Sequence, residues 1–149
     1  MNEHYRRLEN LFYSAPVNQG IFAGSQMSVT ENKALYELTI GEQYFHAAHA
    51  MHGAIYFKLL DDAAYFAAAS SETEYFILTK SYTVHFKRPV HADLLKAEGS
   101  VVSIDEKGIT AKSRILNSQG KVVAAGEGHF VKGPTLLSSL AGYAGSVKP

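Results

Sequence analysis

The sequence predicts an α+β fold in which an antiparallel sheet wraps a single apolar helix. The run GAIYFKLLDDAAYFAAAS, residues 53–70, is apolar on nearly all sides and holds five alanines after Asp62, as expected of a helix enclosed by other structure. Long β-forming stretches follow it, divided by turn signals. Such strands must bury one face against something, and the apolar helix supplies that filling.

Taken in order, residues 2–13 set Tyr5, Leu8, Leu11 and Phe12 at helical spacing among charges, predicting a short amphipathic helix that Pro16 and Gly20 end. From Gly24 to Ile40 two extended stretches, SQMSVT and KALYELTI, flank the Glu31-Asn32 turn signal, so a hairpin is expected. Residues 41–51 are poor in strand formers, hold His46 and His49 and lead into His52, as a functional loop would. After Ser70-Ser71, ILTKSYTVHFKRPV, LLKAEGSVVSID, ITAKSRILN and KVVAAGEGHFVKG read as strands, with turns at Pro89 to Asp93, Glu106 to Gly108 and Asn117 to Gly120. That order predicts a four-strand antiparallel meander. Residues 134–149 carry only moderate helical signal and are assigned to no element. The expectation is one domain over 1–149 with its core at about 24–133, since 149 residues suit a single domain.

Composition narrows the function. The chain is 46% apolar and 19% charged, an ordinary globular profile, and its 14 Lys+Arg balance 14 Asp+Glu. Zero net charge provides no long-range field to gather a nucleic acid or an anionic membrane, so neither is expected as a partner. The absence of cysteine excludes a disulfide framework, a thiolate metal site and a cysteine nucleophile together. In MNEHYRRLEN, charges stand where a signal peptide needs an apolar core, so no export signal is visible and the cytoplasm is the expected location. Residues 52–70 are apolar enough to suggest a membrane span, yet Lys58, Asp61 and Asp62 lie at their middle, where charge is costly in lipid. A core helix is the better reading.

The sequence resembles the hotdog-fold acyl-CoA thioesterases, in particular the branch of the phenylacetate-degradation and Arthrobacter-type 4-hydroxybenzoyl-CoA thioesterases. The resemblance covers about Gly24 to Gly133 and rests on four features: His52-Gly53-Ala54 opening the helix, Asp61 in LLDDAA, the strand HFKRPV with its terminal proline, and the strand GKVVAAGEGHFV. It implies a hotdog fold and hydrolysis of an acyl- or aryl-CoA thioester; separately, no cofactor and no metal are expected. The family's His-Gly-Gly is His-Gly-Ala here. By position, Gly53 supplies the backbone N–H that polarises the thioester carbonyl, and Asp61 is the base or nucleophile. Thr79, ten residues before Pro89, falls where a hydroxyl often orients the attacking water. His46 stands six residues before His52, where this branch often carries asparagine. Hotdog proteins join their sheets edge to edge and commonly pair dimers into tetramers, which implies a homodimer or a dimer of dimers.

Physical chemistry leads to the same residues. A helix N-terminus offers unpaired N–H groups and partial positive charge to a developing oxyanion, and Gly53 has no side chain to block the approach. Asp61, among Leu59, Leu60, Ala64 and Tyr65, is expected to have a raised pKa suited to deprotonating water. Lys58 can pair with either Asp61 or Asp62 at helical spacing. Gly53 and Asp61 are eight residues apart, roughly 12 Å along a helix, so one thioester carbon cannot reach both. If both act, Asp61 must come from a second copy, in a twofold dimer with two shared sites.

Blander readings stand beside these. His46, His49 and His52 invite a metal site, but helical spacing turns His52 away and strand spacing separates His46 from His49. For His52, a turn-forming role bonded to backbone competes with direct catalysis. Thr79 is otherwise an ordinary strand former. Lys87, Arg88 and Lys132 suit either CoA phosphates or solvated strand ends. Ala54 and Tyr56 are expected to contact substrate, while Tyr44, Phe45 and Phe57 suit either the core or an acyl pocket. The competing function is a non-catalytic module that binds or senses acyl-CoA, though no DNA-binding region accompanies it. Hydratase chemistry ranks below both, because no suitable acid stands with His85 or His91.

Overall fold

The computed structural model describes residues 2–145. Helix α1 (Glu3–Ser14) is capped by Asn2, whose side chain accepts the His4 N–H at 2.8 Å, and it buries Leu8 and Phe12. Strands β1 (Gln26–Thr30) and β2 (Lys33–Ile40) form the expected hairpin, and Asn32 takes the left-handed conformation, φ 60°, that the tight turn requires. Helix α2 (Gly53–Ala69) follows a loop, and then come β3 (Tyr75–Phe86), β4 (Asp93–Asp105), β5 (Gly108–Leu116) and β6 (Val122–Leu136).

All six strands form one antiparallel sheet, in the order β1-β2-β4-β5-β6-β3, around α2. The alanines of α2 let the sheet come close: Ala63, Ala64, Ala67 and Ala68 are wholly buried. At Gly99 of β4 a Cβ would stand 2.0 Å from the Ala63 carbonyl oxygen, so backbone meets backbone there. Tyr36, Leu38, Leu95, Ile115 and Phe130 complete the core from the sheet.

Two expectations need correction. Only β4, β5 and β6 form a meander; β3 lies at the far edge beside β6, and β4 pairs with β2. The six residues 87–92 cross over instead of turning back. The Lys87 and Arg88 N–H groups both donate to the Val123 carbonyl, at 2.9 and 3.1 Å, and the Val90 carbonyl accepts the Met51 N–H at 2.8 Å. These bonds carry the chain past the start of α2. The second correction concerns the tail: β6 continues through Pro134 to Leu136, and a short helix α3 (Ala141–Ala144) packs on α1. Pro134 is tolerated because β5 has already ended and the β3 pairing is irregular between Tyr75 and Ile77. Tyr143 then meets α1, its hydroxyl 2.7 Å from His4 Nδ1. Residues 146–149 of the tail lie outside the described residues.

Candidate active site

The loop before α2 fixes where the helix begins. Its Met51 N–H is bound by Val90, and the His52 N–H donates to the Tyr44 carbonyl at 2.9 Å. His52 is the N-cap: its Nδ1 accepts the Ala54 N–H at 2.9 Å, and its carbonyl accepts the Ile55 N–H at 2.9 Å. Among the described residues, this leaves the Gly53 N–H free at the positive end of a 17-residue helix. Gly53 also faces the Phe86 ring, which would lie 3.7 Å from any Cβ there.

His46 bonds its own loop, with Nδ1 accepting the Ala48 N–H at 3.1 Å. In both exposed rings, His46 and His52, Nδ1 accepts; the neutral forms therefore carry their proton on Nε2. Ala54 is exposed on the first turn, and Lys87 and Arg88 are exposed on the crossover beside it. Tyr56 is buried, donating its hydroxyl to the Arg88 carbonyl at 2.8 Å, so it braces the crossover against the helix. His91 lies 3.2 Å from the His49 carbonyl. Among the described residues, no group of three His, Cys, Asp or Glu is placed to hold a metal ion.

Two turns further along α2, the Thr79 hydroxyl donates to Asp61 Oδ1 at 2.9 Å. Burial pushes the Asp61 carboxyl up to about 6; the Thr79 bond and the Lys58 charge pull the other way, and Asp62 adds to the rise. Lys58 pairs with Asp62, four residues on, and among the described residues Asp61 forms no salt bridge.

A bulge in β3 makes this contact possible. Thr79 pairs with Phe130 and Ser81 with His129, so Lys80 is an extra residue. Ile77 and Thr79 face α2 before the bulge; Tyr82 and Val84 pack toward the core after it. Sequence reasoning missed Tyr82 and Phe86. The Tyr82 ring lies on β6, where a Cβ on Gly126 or Gly128 would come within 2.4 or 2.5 Å of it, and meets Phe57 edge-on at 5.8 Å. Its hydroxyl bonds Ser113, which donates to the Leu60 carbonyl at 2.6 Å. The Gly-x-Gly spacing of residues 126–128 was the available signal. A groove of about 910 Å³ lies elsewhere, lined by Lys33, Glu98, Arg114 and Glu127 among others, and includes neither Gly53 nor Asp61.

The predicted residues thus form two groups on one helix. Gly53, His52, Ala54 and the crossover stand at its start, and Asp61 with Thr79 at its middle. The first can polarise a carbonyl, and the second can take a proton from water.

Comparison with known proteins agrees with this architecture. The family model of the thioesterase superfamily matches residues 48–124, which contain both groups. No curated protein matches the sequence. Among solved structures, the Escherichia coli PaaI protein from the phenylacetic acid degradation operon is similar with a TM-score of 0.77 and 22% identity, over 91% of this chain and 99% of that one. Zebrafish thioesterase superfamily member 2 is similar at 0.73 and 16%, over 85% and 94%. A Streptococcus mutans protein solved bound to acetyl-CoA is similar at 0.67 and 15%, over 73% and 88%. At these identities the structures speak for the fold, and the sequence match speaks for the family. The chain is a hotdog-fold protein that belongs to the thioesterase superfamily.

Proposed function

We propose that the protein hydrolyses an acyl-CoA or aryl-CoA thioester to the free acid and coenzyme A. The observation that carries this reading is the pairing, among the described residues, of a free helix N-terminal N–H at Gly53 with a partly buried carboxylate at Asp61 that forms no salt bridge. Ionised Asp61 takes a proton from a water that Thr79 helps to orient, and the resulting hydroxide attacks the thioester carbon. Negative charge gathers on the carbonyl oxygen, where the Gly53 N–H and the helix dipole stabilise it. Collapse breaks the C–S bond, and the thiolate of coenzyme A receives the proton.

The two groups lie roughly 12 Å apart along one helix, so each site joins Gly53 of one protomer to Asp61 of the partner subunit. The sheet supports such pairing. Among the described residues, β3 is an edge strand with one side unpaired over twelve residues. Leu78 is 46% exposed and Phe86 59%, and Phe57 on α2 is 41% exposed, so that edge carries apolar surface of the kind a second copy covers. Coenzyme A as the thiol carrier is supported by the similar protein solved with acetyl-CoA, and an aryl group by the similar protein from the phenylacetic acid degradation operon. The test is a free-thiol screen over short, long and aromatic acyl-CoA substrates. Asp61→Asn is expected to lower turnover by a factor of about a hundred or more, the scale of a lost general base. Undiminished hydrolysis by that variant, or tight acyl-CoA binding with no hydrolysis by the wild type, would contradict this reading.

A further inference from the structure

Lys58 occupies a position unusual for a lysine. Its side chain is only 13% exposed, and its ammonium lies 5.3 Å from the Phe12 ring centre, 4.9 Å from Phe22 and 5.3 Å from Tyr36. It donates to Asn18 Oδ1 at 2.8 Å and to the Asp62 carboxylate. Three aromatic faces, one amide oxygen and one carboxylate therefore hold a single cation. The cage comes from α1, the turn after it and β2, and its N-terminal members lie outside the segment matched by the family model.

The arrangement matters because Lys58 has two acids within helical reach, Asp61 at i+3 and Asp62 at i+4. An ammonium on Asp61 would stabilise its charge and weaken it as a base. We propose that Asp62 is a positioning residue which, together with the aromatic cage, holds the Lys58 ammonium away from Asp61 and so keeps Asp61 available to water. This rests on Asp61 acting as the base. Thr79, the one side-chain hydrogen-bond partner of Asp61 among the described residues, is neutral.

The tyrosines around the pair are neutral as well. Tyr36 of β2 faces Asp62, Tyr65 of α2 lies beside both acids, and burial raises both hydroxyls well above the ordinary range. Tyr82 of β3 faces Asp61 with its hydroxyl pushed up to about 12, and Glu127 of β6 acts on Tyr82. Asp62 itself is pushed up by burial and drawn back by Lys58. Burial and the Thr79 bond act first on Asp61, and Asp62 and Lys58 are the charges that then adjust its acidity, in opposite directions.

The test follows the Asp61 carboxyl carbon by NMR titration in the wild type, Asp62→Asn and Lys58→Met/Asp62→Asn, alongside acyl-CoA hydrolysis. Asp62→Asn removes a neighbouring negative charge and releases the ammonium, and both effects lower the Asp61 pKa, by about one unit or more. Its kcat/KM at pH 7 is expected to fall about threefold as basicity is lost. Removing the ammonium as well should return the titration to within about half a unit of wild type and recover most of the lost kcat/KM. A purely structural role for Asp62 does not produce that recovery. An unmoved titration in Asp62→Asn, or an equal displacement in the double variant, would overturn the proposal. If Asp62→Asn alone fails to fold, the double variant, which leaves no buried charge unpartnered, decides: a move of about one unit or more from wild type would overturn it. The titration needs no turnover. A wild type that hydrolyses no acyl-CoA while its variants titrate as expected would thus remove the hydrolytic reading and leave the charge arrangement standing.

Discussion

Asp61 binds its proton more tightly in the folded chain than in the unfolded one, because burial penalises its charge. The sign of two pH effects follows. Activity should rise with pH through about 6 as the base ionises, which a kcat/KM profile against pH reads directly. Stability moves the other way: below the unfolded value of 3.8 both states are protonated and nothing is lost, while above about 6 the ionised group opposes folding. Asp61→Asn should therefore be the more stable protein near pH 8, by about 1–3 kcal/mol, with the gap closing toward pH 4 in thermal melts. A variant equally stable at both pH values would show that the carboxyl is not desolvated. Thr79 provides a second check. Thr79→Val removes a hydrogen bond to the charged form, so the acidic limb should move above 6 and turnover fall by about tenfold, while Thr79→Ser should keep the limb in place. The positions of Gly53 at the start of α2 and Asp61 at its middle were legible in the sequence, because the apolar run fixes the helix, while the roles proposed for them come from the family resemblance. The bulge at Lys80 was not legible, since an inserted residue looks like its neighbours until the partner strand is known.

At the scale of elements, α2 was readable because alanine and apolar residues on every side admit few other structures. Strand order was not. Consecutive strands commonly pair, but β3 and β4 are separated by a crossover whose anchors, Val123 and Met51, are distant in sequence. Pro134 read as the end of a strand because its missing N–H is harmless only where the ladder has already lapsed. How closely sheet and helix pack can be tested at Gly99. Adding a methyl 2.0 Å from the Ala63 carbonyl oxygen forces β4 and α2 apart, so Gly99→Ala should destabilise the fold by about 2–4 kcal/mol in urea unfolding. A loss under about 0.5 kcal/mol would mean that the two backbones are not in contact there.

For the whole molecule, the proposed division of the site along one helix requires the dimer as the unit of function. The free edge of β3 and the apolar rings around it are where a second copy is expected, and light scattering of the active protein should give a dimer or a multiple of it. Complementation tests the shared site itself. Gly53→Pro deletes a single N–H at the first helical position, where proline fits, and the extended backbone of His52, ψ 142°, suits a following proline. Asp61→Asn deletes the proposed base. Each variant alone should be nearly inactive. When the two are co-refolded in equal amounts, half of the dimers are mixed, and each mixed dimer holds one intact and one doubly altered site. A shared site predicts recovery of about a quarter of wild-type activity, whereas no recovery from demonstrably mixed dimers would contradict it.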